Sequence, residues 1–248
     1  MMAAKEREAL RDEISALCKR LILSQRAVEL CAQEATPRQE EFLHRVLSEE
    51  VENRERSRRT RLMNRAGFPV YKTLEGYERH GVKLASLEWS DLTDALFVRA
   101  KRNLVLYGPV GTGKTHLATA LGVRACELGM AVRFFTVADL VMRLSEAKKA
   151  GTLERLSKDI SRADLLILDE WGYVVDREGS QLLFRVIADS YESRSLVITT
   201  NLEFSKWGSV FTDDQMAAAM IDRLAHHGHL LLFEGESYRM KHALMKQR

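Results

Sequence analysis

Asn103-Leu-Val-Leu-Tyr107, followed at once by Gly108-Pro-Val-Gly-Thr-Gly-Lys-Thr115, decides how this chain folds. The first five residues read as an apolar strand covered on both faces. The glycines at 108, 111 and 113 read as a tight turn, and Thr115–Leu128, closed by Gly129, as a helix. The octapeptide matches G-x-x-x-x-G-K-[ST] at every fixed position, in the strand–turn–helix context the motif requires. Its chemistry is that of a phosphate cradle. Three glycines let successive N–H groups face one concavity at a helix N-terminus, where hydrogen bonds and the helix dipole favour an anion. Lys114 offers a point charge to the β- and γ-phosphates of a nucleotide, and Thr115 a hydroxyl ligand for Mg²⁺. Gly108, Pro109, Val110, Gly111, Thr112, Gly113, Lys114, Thr115 and His116 are the expected nucleotide-binding residues.

Four more short apolar runs follow, at Val132–Phe135, Leu165–Leu168, Leu196–Thr199 and Leu230–Phe233. Helical stretches lie between them, for example Asp139–Ala150, closed by Gly151, and Ala217–Ala225. Such alternation predicts an open α/β sheet of five parallel strands with right-handed crossovers. The Leu165 run ends in Asp169-Glu170, at the carboxyl end of a buried strand, where open α/β sheets bind ligands. Asp169 is placed to hold a Mg²⁺ shell and Glu170 to polarise a water; a solvated strand end is the plain alternative. An adjacent carboxylate also separates a hydrolase from a P-loop kinase, which must exclude water. Asn201 ends the Leu196 run. It positions the same water if its strand lies between those of Gly108 and Asp169, and is otherwise an ordinary turn residue. Arg223 reads either as a cation favoured at a helix end or as an arginine finger reaching a neighbouring subunit's site. His226, His227 and His229 lack the spacing of a metal site. Trp207, Met216 and Met220 read as packing residues.

Upstream, the pattern is helical to about Pro69. Leu10, Ile14, Leu17, Leu21 and Val28 form one stripe. Thr36-Pro37-Arg38-Gln39 is a helix start, with Phe42, Val46 and Leu47 expected to point inward and Gly67 and Pro69 to stop the helix. The expected organisation is a small all-helical N-terminal domain (1–69, contacting DNA or a partner), a joining segment that begins the nucleotide module (70–102), and the nucleotide-binding domain (103–248). Arg54, Arg56, Arg58, Arg59, Arg61, Arg65 and Lys72 stand against Glu55 alone. The arginines are a candidate DNA-binding face, with the alternative of a solvated helix face. Affinity from such a run is salt-dependent and largely sequence-independent, because no base-reading motif accompanies it. A second basic stretch closes the chain, with Arg239, Lys241, Lys246 and Arg248.

Composition narrows the class. The 248 residues carry 38 Lys and Arg against 35 Asp and Glu, a net charge of +3, so overall charge announces no partner. Three scattered cysteines form no C-x-x-C pair, which argues against a disulfide framework or zinc site. The apolar runs are too short to span a bilayer and the N-terminus lacks a signal-peptide core. The expectation is a cytoplasmic protein without membrane contact.

With these residues on the page, the chain resembles the IstB-like transposition helper ATPases, relatives of the DnaC helicase loaders within the AAA+ class. The resemblance rests on the basic helical N-terminus, Arg65-Ala-Gly-Phe-Pro69, Lys72-Thr-Leu-Glu75, and Asn103–Pro109 leading into the P-loop. It continues through Leu168-Asp-Glu-Trp-Gly-Tyr173, Thr199-Thr-Asn201, Asp222-Arg-Leu224 and Gly235-Glu-Ser-Tyr-Arg-Met-Lys241. It implies a P-loop AAA+ core, binding and hydrolysis of ATP with Mg²⁺, homo-oligomeric assembly on duplex DNA, and service to the transposase of the same element. It further implies Asn201 as first sensor, Arg223 as finger and Arg239 as a second nucleotide sensor. Only fifteen residues follow Phe233, so no full C-terminal helical lid is expected. Two other readings remain at this point: a DnaC-like loader of a replicative helicase, and a metabolic P-loop kinase.

Overall fold

A computed structural model describes residues 4–79, 81–84, 87–172, 176–211 and 213–241; Tyr173, Lys246 and Arg248 lie outside them. The chain forms two compact units, Met1–Thr60 and Arg61–Arg248. The first is built from α1 (Ala4–Arg20), α2 (Gln25–Glu34) and most of α3 (Pro37–Ala66). Ile14, Cys18, Leu21, Leu47 and Val51 are its buried core. The start of α3 follows its sequence: the Thr36 N–H donates to Gln39 Oε1 at 2.8 Å, as does the Thr36 hydroxyl. The inward face differs from expectation. Leu47 is buried, but Phe42 is 60% and Val46 45% exposed. Leu43, Leu47 and Val51 repeat every four residues and take the inner stripe; at 100° per residue, Phe42 sits about 100° round the helix from it. Glu40 falls on the stripe as well and is 1% exposed. Arg7 Nε (2.8 Å) and Arg11 Nε (2.7 Å) donate to its carboxylate and hold its pKa below the usual range, against the opposing effect of burial.

In the second unit come β1 (Val82–Leu84), α4 (Trp89–Thr93), α5 (Leu96–Arg99), β2 (Asn103–Tyr107), α6 (Lys114–Glu127), β3 (Val132–Thr136), α7 (Val137–Lys149), α8 (Leu153–Ser161), β4 (Leu165–Trp171), α9 (Arg177–Ala188), β5 (Ser195–Thr200), α10 (Gly208–Phe211), α11 (Asp214–His226), β6 (Gly228–Phe233) and α12 (Tyr238–Lys241). All five expected strands form one parallel set, and the sheet order is β1-β6-β2-β5-β4-β3. The count of five is corrected to six, and the sheet is mixed, because β1 pairs antiparallel with β6. Three residues with Lys83 in the middle are too short to show a periodicity, and only pairing with β6 makes them a strand. The short charged edge, with Lys83 bonded to Glu234 at 2.7 Å, also protects the sheet from further pairing.

Both faces of the sheet are covered, which explains the unbroken apolar strands. Leu104, Leu106, Leu165, Ile167 and Val197 face α6, α4 and α5. Val105, Leu166, Leu168, Leu196 and Ile198 face α7, α9 and α11. Trp207 and Met220 are fully buried on that second side, as packing residues. The strand order places β5 between β2 and β4, so Gly108, Asn201 and Asp169 emerge side by side at the carboxyl edge. No helix among the described residues is long and apolar enough to cross a membrane.

Candidate nucleotide site

The turn from β2 into α6 is closed from outside by the segment after β6. A Cβ on Gly108 would lie 2.2 Å from the Phe233 carbonyl oxygen. Gly111, at φ +84°, would push one to 2.0 Å from Ser237 Oγ, while its carbonyl accepts the Tyr238 N–H at 3.0 Å. Glycine at these positions is therefore a steric requirement, not only a loop preference. Val110 is exposed at the tip and the Thr112 hydroxyl donates to the Pro109 carbonyl at 2.8 Å. Lys114 Nζ donates to the carbonyls of Gly108 (2.8 Å) and Pro109 (2.7 Å), so its ammonium lies in the loop's own concavity. Burial lowers the Lys114 pKa to about 8; Asp169 opposes this and the positive charge of Arg239 adds to it. Arg239, on α12, thus acts electrostatically on the lysine of the cradle. His116 meets the Tyr77 ring edge-on at 5.2 Å, and Tyr77 stacks on Trp89 at 6.0 Å. Burial pushes the Tyr77 phenol up to about 12 and the His116 imidazole down, Lys72 adding to the latter.

The acids lie opposite the cradle. Asp169 is 3% exposed, and its Oδ1 accepts the hydroxyls of Thr115 (2.9 Å) and Thr199 (2.5 Å). The β4–β5 ladder then shifts register between Leu168 and Trp171. In this bulge Glu170 takes φ +60°, and its side chain is exposed. Its N–H donates to Thr199 Oγ1 at 3.0 Å. On the far side Thr200 Oγ1 donates to the Trp171 carbonyl at 2.8 Å and accepts the Leu202 N–H at 2.9 Å. Asn201 is exposed and lies against Gly172. Thr115 and Asp169 present a hydroxyl and a carboxylate oxygen, hydrogen-bonded together. Two hard oxygen donors, and no more, suit Mg²⁺, which takes its remaining ligands from water and phosphate. No cluster of three or more His, Cys, Asp or Glu that could cage a metal occurs among the described residues.

The family model for IstB-like ATP binding proteins matches residues 17–246. The chain belongs to this IstB-like family. An ATP-binding protein of insertion sequence IS21 from Pseudomonas aeruginosa is 39% identical over 81% of the chain and 77% of its own length. That of insertion sequence IS5376 from Geobacillus stearothermophilus is 35% identical over 84% of the chain and 83% of its own length. Among solved structures, the DnaC helicase loader superposes with a TM-score of 0.52 at 24% identity, over 70% of this chain and 99% of that one. Nucleotide-bound DnaA from Aquifex aeolicus gives 0.53 at 22%, over 71% and 54%. At these identities the likeness is one of fold: an α/β core with the P-loop at the carboxyl edge of a mostly parallel sheet. The family carries ATP binding with it.

Not every expected residue of this IstB-like chain gathers at the cradle. Arg223 Nη1 donates to the Ala219 carbonyl at 2.9 Å and its guanidinium lies 5.5 Å from the Phe184 ring, so its described contacts are with α11 and α9. His226 and His227 bond to Tyr191 and Glu192, at the strands' amino end. Two arginines of the run find acids that counting within it overlooks, and a third shares the Glu55 already counted. Arg54 bonds to Glu50 at 2.7 Å, Arg59 and Arg20 share Glu55, and Arg65 bonds to Asp159 at 3.0 Å. Arg56, Arg58 and Arg61 are exposed, and no ion pair engages Arg56 or Arg61 among the described residues. Sequence reading missed Thr199 and Thr200 as site residues. Their signal was there: two hydroxyls closing a buried apolar strand need partners.

Proposed function

We propose that this chain is an ATP-hydrolysing AAA+ protein that assembles as a homo-oligomer on duplex DNA and assists the transposase of its own insertion sequence. The observation that carries the reading is the Thr115–Asp169 hydrogen bond at the glycine cradle, with Glu170 next in the chain on a bulge of the same strand end. Backbone N–H groups of Gly108 and residues 110–115 and the Lys114 ammonium bind the triphosphate, the ammonium exchanging two carbonyl partners for phosphate oxygens. Thr115 and Asp169 hold Mg²⁺, which when bound neutralises charge on the β- and γ-phosphates. Glu170 accepts a proton from the attacking water as its oxygen bonds to the γ-phosphorus and the bond to the bridging oxygen breaks. Asn201 orients that water by hydrogen bonding. Arg223, at the last turn of α11, acts across a subunit boundary, and Arg239 senses bound nucleotide from beside Lys114.

The relatives' names place their proteins in insertion sequences, which supports the transposase as partner. Arg54, Arg56, Arg58, Arg59, Arg61 and Arg65 supply the DNA contact, with the ion-paired members contributing least. The test is electron microscopy of purified protein with ATP and with a non-hydrolysable analogue, with and without duplex DNA. Oligomers on DNA that require nucleotide are expected, with ATP turnover. A chain that stays monomeric with both ligands saturating would overturn the proposal.

A further inference from the structure

Thr199 stands at the centre of the acidic pair without being part of any phosphate- or metal-binding motif. It is 2% exposed. Its single hydroxyl proton goes to Asp169 Oδ1 (2.5 Å), and its oxygen accepts the Glu170 N–H (3.0 Å). The surrounding ladder explains why such a bond is needed. Between Leu168 and Trp171 the β4–β5 pairing slips, so the Glu170 N–H loses a regular strand partner, and an unpaired backbone donor is costly away from water. At φ +60°, Glu170 also occupies a region that a residue with a Cβ adopts only at a cost. Something must hold it there. Thr199 grips the N–H entering the strained residue, and Thr200 grips the Trp171 carbonyl just beyond it. Two consecutive hydroxyls from β5 thus bracket the bulge on β4.

We infer that Thr199 is a positioning residue for ATP hydrolysis: its hydroxyl fixes the Asp169 carboxylate and the left-handed backbone of Glu170 together, so that one acid faces the metal site while the other faces the water. The inference rests on the proposed hydrolytic function. Because Thr199 lies on β5, the clamp also ties both acids to the strand that leads into Asn201. A contact of this kind acts on the chemical step and not on capture of the nucleotide, which the cradle of residues 108–115 performs.

The experiment compares wild type with Thr199→Val, which keeps the shape and removes the hydroxyl, and Thr199→Ser, which keeps the hydroxyl. Steady-state ATP hydrolysis and nucleotide affinity are measured on the full chain. Thr199→Val should lose at least about 10-fold in kcat with KM and nucleotide Kd within about 3-fold, the pattern of an interaction used in the transition state. Thr199→Ser should recover most of the loss. In a Glu170→Gln background, Thr199→Val should cost less than in wild type, because the part of its effect that acts through Glu170 is already lost; an undiminished cost would overturn the grip on Glu170. Wild-type kcat in Thr199→Val, or equal losses in the Val and Ser variants, overturns the clamp and leaves the hydrolytic reading standing. If Thr199→Val fails to fold, Thr199→Ala takes its place, and the Ala–Ser difference decides in the same way. A wild-type chain that binds ATP without turning it over overturns both.

Discussion

The carboxyl edge of the sheet and the arginine-rich part of α3 are both dense in charge, and they are built oppositely. At the sheet edge Asp169 is 3% exposed, and its Oδ1 is shared by two hydroxyls, one from helix α6 and one from strand β5. Along α3, Arg54 and Arg59 are more than half exposed and pair with acids one turn away. A buried polar group has to be satisfied in one geometry, because leaving it unpaired costs ~1–3 kcal/mol. An exposed i,i+4 pair contributes only ~0.3–0.5 kcal/mol and is exchanged for water or a phosphate at little cost. The first region is suited to a reaction with fixed atoms. The second is suited to a long, uniform polyanion whose contacts slide.

Substitutions at the two regions should therefore fail in different ways. The largest effect is expected from Lys114→Ala, which removes the charge of the cradle: ATP affinity by calorimetry should fall about 100-fold or more, in line with loss of a charge-assisted hydrogen bond or two. Glu170→Gln should lower kcat by ~10²–10⁴, the usual range for loss of a general base, while nucleotide affinity stays and ATP-bound assemblies persist in electron micrographs. Unchanged turnover in this variant would remove Glu170 from the chemistry. Glu40 offers a contrast inside the helical unit, as a buried carboxylate with no catalytic work. Its pKa is lowered on folding by Arg7 and Arg11, so its contribution is complete above the unfolded value of about 4.3. That contribution is lost as pH falls through the lower folded value. Helical circular dichroism of the full chain should accordingly show an acid transition that Glu40→Gln flattens. The smallest effect is expected from Arg56→Ala with Arg61→Ala. Thermal stability should move by less than ~0.5 kcal/mol. The slope of log affinity for duplex DNA against log salt should shrink by about 1.8, at 0.9 per contact; an unchanged slope would place the DNA on another face.

The same contrast explains what could be read from the residues alone. The cradle, Asp169 and the five parallel strands were legible because phosphate chemistry demands fixed spacings and because both faces of the sheet are covered. The condition set on Asn201, a strand between those of Gly108 and Asp169, is met by the observed order. β1 was not legible, since three residues carry no period, and Phe42 and Val46 misled because a helix with apolar residues on two adjoining stripes does not declare which one turns inward. Thr199 escaped for a different reason. Its importance comes from a slipped register between two strands, and a slip belongs to a pair of strands rather than to either sequence. The arginine run was overcounted because Glu50 and Asp159, the acids that neutralise two of its members, lie outside it.

Trp171 directly follows Glu170, fully buried, 4.8 Å from the Trp207 ring and 5.3 Å from that of Phe211. Its indole nitrogen is the one buried side-chain polar atom without a partner among the described residues. An indole so crowded and so dry emits at a colour and yield set by those neighbours, and the chain has only three tryptophans. A shift of the strand end by a fraction of an ångström would change the light it gives off, so the protein carries its own optical gauge of the bulge at Glu170, readable without any label.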